Sequence, residues 1–161
     1  MSRDAASVFV DRGVKGVDYY PSEPEVQVFA DVHPDVWHAK WITTLENEEY
    51  TDGCGVNEWG ERIFCPYEPH TRAEATVFFL RMLHGPDYAP PLPNIDRDYV
   101  YDDVPVLADI WYVKWIYAAH DAGLVDGCED SANRDDDLFR PEDVITRAEA
   151  ACMMAGAVGL Q

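Results

Sequence analysis

An all-α fold built from helix-loop-helix repeats is what this sequence of 161 residues predicts, and three observations predict it. Thr71-Arg72-Ala73-Glu74-Ala75 returns further along the chain as Thr146-Arg147-Ala148-Glu149-Ala150. Trp37, Trp41, Ile42 and Leu45 recur at i, i+4, i+5 and i+8, the spacing of an apolar stripe on an amphipathic helix, and Trp111, Trp115, Ile116 and Ala119 repeat it. No alternating apolar run argues for a large sheet.

The repetition extends well beyond the five-residue motif. Phe64-Cys65-Pro66 aligns without a gap on Phe139-Arg140-Pro141, Phe29-Ala30-Asp31-Val32 on Tyr101-Asp102-Asp103-Val104, Lys40 on Lys114, and Asp52-Gly53-Cys54 on Asp126-Gly127-Cys128. A partial third copy opens the chain. Ser2-Arg3-Asp4-Ala5 lies over Thr71-Arg72-Ala73-Glu74, and Arg12, Gly16, Tyr19 and Pro21 lie over Arg81, Gly85, Tyr88 and Pro90. The organisation read from this is residues 1–24 as the second half of a first repeat with its linker, 25–93 as the second repeat and 94–161 as the third.

Each element has a local reason. The tryptophan-bearing helix opens a repeat, with Asp31 and Asp103 just upstream as helix-entry caps or groove residues. The second helix starts at Thr71 or Thr146, whose hydroxyl caps free backbone N–H groups while the Glu three residues later completes a capping box. Ser2 stands in the same place, but Ala5 replaces the Glu. Gly16 and Gly85 close two of these helices as C-caps, and the proline-rich stretches 19–24 and 86–93 stop them. One apolar stripe, that of the pair Trp37 and Trp41, places at least one indole in the core, and likewise for Trp111 and Trp115.

Composition excludes several classes of function. With 47% hydrophobic residues the chain can bury a core, and 12 Lys+Arg against 31 Asp+Glu give a net charge of -19. Such a field opposes nucleic acid and anionic membrane surfaces. No stretch approaches the roughly 20 apolar residues of a membrane span, and the first residues lack the apolar run of a signal peptide, so an export signal is expected to be absent from this sequence. The histidines have no H-E-x-x-H spacing, and neither a G-x-S-x-G elbow nor a phosphate-cradling glycine loop is present. Glu74 and Glu149 are explained as caps at equivalent positions and not as a glycosidase pair. The expectation is a protein without catalytic residues.

Asp-Val, the tryptophan helix, Asp-Gly, and Phe-x-Pro leading into Thr-Arg-Ala-Glu-Ala together resemble the S-layer homology family over nearly the whole chain. The resemblance implies helical repeats in a pseudo-threefold spindle with grooves between them, one repeat being incomplete here. It implies an extracellular module that attaches proteins to a bacterial cell surface, often through pyruvylated cell-wall polysaccharide. The family's motif arginine contributes to the carbohydrate groove, which by position carries over to Arg72 and Arg147, and to Arg3. A guanidinium fork suits a pyruvyl carboxylate, and Trp37 and Trp111 offer faces for sugar rings beside Asp31 and Asp103. The other reading of Arg72 and Arg147 is that they pair with carboxylates and lock repeats together. For the whole chain the alternative is a structural subunit of a surface layer, filament or extracellular complex, contacting neighbouring protein chains.

The cysteines bear on compartment. Cys54 and Cys65 flank a turn-rich loop and predict a disulfide, which fits export. Cys128 and Cys152 are either a relocated second bridge or two buried thiols; without a C-x-x-C pair, zinc is not expected. Asp126-Gly127-Cys128-Glu129-Asp130 with Asp135-Asp136-Asp137 offers oxygen ligands for calcium, yet misses the EF-hand spacing and reads first as a solvated charge run. No other cofactor or metal is expected. Finally, helix 2–15 carries Ala6, Val8, Phe9 and Val10 without a tryptophan helix before it. Its apolar face is expected to be covered by preceding sequence or by a neighbouring chain.

Overall fold

The computed structural model describes residues 1–94, 100–106, 110–125, 127–128 and 137–159. The described elements are helices α1 (Arg3–Lys15) and α2 (Ala39–Asn47), strands β1 (Gly55–Val56) and β2 (Arg62–Ile63), and helices α3 (Arg72–His84), α4 (Val113–Asp121) and α5 (Arg147–Ala157). The protein is mostly helical, as expected, with one short antiparallel hairpin in which Gly55 faces Ile63 and Val56 faces Arg62. It divides into two compact units, Met1–Pro69 and His70–Gln161.

In the first unit α1 packs on α2. Phe29, Val32, Ala39, Ile42 and Phe64 form its core cluster. Ala6 and Val10 on α1 are buried, with Val8 and Phe9 half-buried. The chain itself therefore covers much of the apolar face for which a neighbour was expected. Each fully buried aliphatic side chain such as Ile42 contributes about 1.5–3 kcal/mol. In the second unit α3 packs on both α4 and α5. Val104, Ile116, Tyr117, Phe139, Ile145, Ala150 and Met153 are buried there, and the Tyr101 and Phe139 rings meet with centroids 5.3 Å apart.

The helix boundaries follow the local chemistry. Thr71 with Glu74, and Thr146 with Glu149, form complete capping boxes. Ser2 makes no side-chain cap; its hydroxyl is turned to the Asp4 carboxylate. Gly16 and Gly85 end α1 and α3 at φ 104° and 101°, and their N–H groups donate to the Arg12 and Arg81 carbonyls at 2.9 and 2.7 Å. These backbone states are available almost only to glycine.

Both tryptophan helices begin later than their spacing suggests. Trp37 and Trp111 lie before α2 and α4 and are 57% and 54% exposed, whereas Trp41 and Trp115 are buried. The four-residue apolar stripe is thus a three-residue one starting at Trp41 or Trp115. Each outer indole instead leans edge-on against the residue after it, His38 at 5.2 Å and Tyr112 at 5.5 Å.

Both disulfides are formed. Cys54–Cys65 closes the hairpin, with Cα atoms 6.0 Å apart. Cys128–Cys152 ties α5 to the segment after α4, with Cα atoms 5.4 Å apart, so the second bridge is the reading that holds for that pair. Gly53, just before the hairpin, has φ 95°, and a Cβ there would sit 2.3 Å from the Ile63 carbonyl oxygen. A tight crossing of backbone on backbone requires glycine at this point.

Candidate functional site

The motif arginines do one thing in both units. Arg3 is 7% exposed; its Nε donates to the Phe64 carbonyl at 3.0 Å, and the guanidinium lies 5.1 Å from the centre of the Phe64 ring. Arg72 is 4% exposed; its Nε donates to the Phe139 carbonyl at 2.8 Å, 4.9 Å from that ring's centre. Nη1 of Arg72 also pairs with the Glu149 carboxylate. Backbone contacts accompany each arginine: Arg3 and Asp4 donate to the Glu68 and Pro66 carbonyls, Arg72 and Ala73 to those of Asp143 and Pro141. The arginines thus dock the start of one helix onto the Phe-x-Pro loop of the following repeat sequence. Arg147, the third of them, is exposed at the first turn of α5.

Asp31 and Asp103 hold the same loops from the other side. The Asp31 carboxylate accepts from the Phe64 and Cys65 N–H groups at 2.8 and 2.7 Å. Asp103 accepts from those of Phe139 and Arg140 at 2.8 and 2.6 Å. The reading of these residues as helix-entry caps is therefore corrected: each clamps a loop more than thirty positions away. Cys65 and Arg140 take left-handed backbone, φ 58° and 57°. Two charge-assisted hydrogen bonds into each corner offset the cost of that conformation in a non-glycine residue.

An exposed shelf lies over the first of these corners. A depression of about 370 Å³ is lined by Asp31, Cys65, Pro66, Tyr67 and Glu68. Tyr67 is 75% exposed, and His38 stands edge-on to it at 5.5 Å and edge-on to Trp37 at 5.2 Å. His38 is itself buried. Burial pushes its pKa below the usual histidine value against the pull of the Asp4 and Asp31 carboxylates, Asp4 Oδ2 lying 3.5 Å from Nδ1. The exposed Trp37 and Tyr67 rings offer faces for an apolar contact, and the Asp31 and Glu68 carboxylates line the depression beside Tyr67. In the second unit Trp111 and Tyr112 take the places of Trp37 and His38, and the tyrosine's pKa is raised by burial and by Glu142 and Asp103.

Of the expected carbohydrate residues, Trp37 and Asp31 share the first unit with this shelf, and Trp111, Asp103 and Arg147 belong to the second. Arg3 and Arg72 are occupied within the protein. Tyr67 and His38 were not singled out by the sequence, although an aromatic directly after Phe64-Cys65-Pro66 was visible there. The described residues hold no group of three or more His, Cys, Asp or Glu suited to a metal ion. Asp126, Glu129, Asp130, Asp135 and Asp136 of the calcium expectation lie outside the described residues.

Two comparisons with known proteins bear on these features. The family model described as the S-layer homology domain matches residues 100–151. A protein named endoglucanase from Bacillus sp. (strain KSM-635) is 30% identical over 129 residues, which is 80% of this chain. The chain spans only 11% of the length of that relative.

Proposed function

We infer, from a chain that belongs to the S-layer homology family through residues 100–151, that it attaches protein to a bacterial cell surface by binding cell-wall polysaccharide. The family match carries this reading. It is supported by the two exposed indoles, Trp37 and Trp111, standing at matching places ahead of α2 and α4. Within the reading the polymer is pyruvylated, the location is extracellular and the chain has no catalytic role. Trp37, Tyr67 and Trp111 face sugar rings, and Arg147 meets a carboxylate. Arg3, Arg72, Asp31 and Asp103 act indirectly, by fixing the loops that present these side chains.

The reading faces a net charge of -19, which repels an acidic polymer over long range and predicts that salt strengthens attachment or leaves it unchanged. Co-sedimentation with purified cell-wall polysaccharide tests it. Retention of the wild-type chain, lost in the Trp37→Ala, Trp111→Ala double variant, is the expected outcome. Equal retention of both proteins, or of neither, overturns it.

A second reading, assembly with other protein chains, is favoured by the hairpin between β1 and β2. Val56 is 62% and Trp59 75% exposed there, and Asn57 organises the turn by accepting from the Trp59 and Glu61 N–H groups at 3.0 and 2.9 Å. Self-association in polymer-free buffer that disappears in Trp59→Ser would support this reading over the first.

A further inference from the structure

The two disulfides differ in how far solvent reaches them. Cys54 is exposed and Cys65 half-buried, whereas Cys128 of the other bridge is 4% exposed. Cys65 also lines the depression of about 370 Å³ that it shares with Asp31, Pro66, Tyr67 and Glu68, so one of the two bonded residues faces a hollow that admits a small molecule. Thiol–disulfide exchange needs such access, because a thiolate must reach one sulfur from outside.

The second unit builds the same corner without a cysteine. Arg140 stands where Cys65 does, at φ 57° against 58°, and Asp103 accepts from the Phe139 and Arg140 N–H groups as Asp31 accepts from those of Phe64 and Cys65. The corner therefore does not depend on the bridge. What the bridge adds is a tie to Cys54 at the foot of β1, where the backbone N–H donates to the Ile63 carbonyl at 2.8 Å. Opening it loosens the hairpin and leaves the corner, with its depression, in place. Asp31 and Glu68 are the two charged residues in that lining, and the chain as a whole carries -19. Such surroundings repel a thiolate that bears a further negative group and draw one whose carbon body bears an ammonium.

We propose that the Cys54–Cys65 bridge is a thiol-exchange site, selective for small thiols that carry a positive charge, whose opening releases the hairpin while Cys128–Cys152 stays closed. The incoming thiolate attacks Cys65 Sγ from the depression. A new S–S bond forms there, the Cys54–Cys65 bond breaks, and Cys54 leaves as a thiolate that takes a proton from water. A second thiolate attacks the outer sulfur of the mixed disulfide and releases Cys65. Two thiols are oxidised to one disulfide, and the bridge is reduced to two thiols.

Cysteamine, 2-mercaptoethanol and glutathione serve as cationic, neutral and anionic probes on the full chain at equal thiolate concentration. Each rate is divided by the same thiol's rate on bis(2-hydroxyethyl) disulfide, which removes intrinsic reactivity. The reaction is stopped with iodoacetamide, and peptide mass mapping locates adducts and labels. At low salt the corrected rate should be highest for cysteamine and roughly tenfold or more lower for glutathione, with the early adduct on Cys65, the label on Cys54 and Cys128–Cys152 intact. Glu68→Gln should narrow the ratio of cysteamine to glutathione; Asp143→Asn, the matching change in the other unit, should not. After opening, amide exchange should rise at Gly55, Val56 and Trp59 while Phe64 and Cys65 stay protected. Equal corrected rates for the three thiols, or both bridges opening together, overturn the proposal. An early adduct on Cys54 overturns attack from the depression, and lost protection at Phe64 and Cys65 overturns the independence of the corner.

Discussion

Arg72 Nε donates to the carbonyl of Phe139 at 2.8 Å while its guanidinium covers the ring of the same residue. Arg3 does the same to Phe64 in the other unit. One side chain thus satisfies a buried carbonyl, lies over an aromatic ring and, in Arg72, neutralises the largely buried Glu149.

Arg72→Ala leaves that carboxylate without its counter-charge and the Phe139 carbonyl without its donor. Breaking a buried pair on one side costs about 3–5 kcal/mol, so thermal unfolding should begin on the order of 10 °C lower. Arg147→Ala, at an exposed position, should cost less stability than Arg72→Ala yet weaken polysaccharide retention. Calorimetric scans of both variants check the contrast; equal melting temperatures would refute it.

Asp103→Asn removes the charge from two hydrogen bonds, to the N–H groups of Phe139 and Arg140. Charge-assisted bonds contribute about 1.5–3 kcal/mol each where neutral ones contribute about 1. Urea titration should show a clear loss of stability, larger for Asp103→Ala than for Asp103→Asn. A variant carrying Arg140→Gly as well should recover part of it, since glycine holds φ 57° without strain.

Asp11 is 3% exposed on α1, and burial pushes its pKa up to about 8, against the pull of Lys15 and with a smaller push from Glu48. The folded state keeps the proton after the unfolded chain has lost it, so the stabilisation is full below about pH 4 and declines as pH rises towards 8. The slope in that window is about 1.4 kcal/mol per pH unit. The aligned position in α3 is Leu80, fully buried. Asp11→Leu should therefore stabilise the protein at pH 7.5 and much less at pH 4.5. Chemical denaturation at both values decides, and an equal gain at the two would show that the carboxyl is not titrating there.

The disulfides close loops with sequence separations of 11 and 24. On the chain-entropy estimate each stabilises the fold by about 3 kcal/mol. Cys54→Ser with Cys65→Ser should lower the melting temperature and raise hydrogen exchange in the hairpin between β1 and β2, leaving α5 protected. Exchange spreading to α5 would contradict that locality.

What the sequence made legible was local. Thr71 and Glu74 are three residues apart, as are Thr146 and Glu149, so their capping boxes need no tertiary information; Gly16 and Gly85 declare helix ends by the same logic. That Arg72 pairs with a carboxylate was one of the two readings the sequence offered, and Glu149 is that carboxylate; its bond to the Phe139 carbonyl and the role of Asp31 were not legible, because those partners lie 67 and 33 or 34 positions away and are backbone groups that any residue carries. Trp37 looked like a helix-stripe residue because 37 and 41 have helical spacing, but α2 begins only at Ala39. Trp41 alone of the pair reaches the interior, packed edge-on by Tyr19 and Tyr20.

The reach of Arg72 also sets an order of events during synthesis. Its carbonyl partner and its carboxylate partner follow it by 67 and 77 residues, so helix α3 leaves the ribosome seconds before either exists, at roughly 5–20 residues per second. Until then a guanidinium destined for the interior is held in water. Helix α4 is made before either partner, so α3 can pack on it first; the arginine clamp closes last, and the capping box at Thr71 is a local device that keeps α3 helical in the meantime.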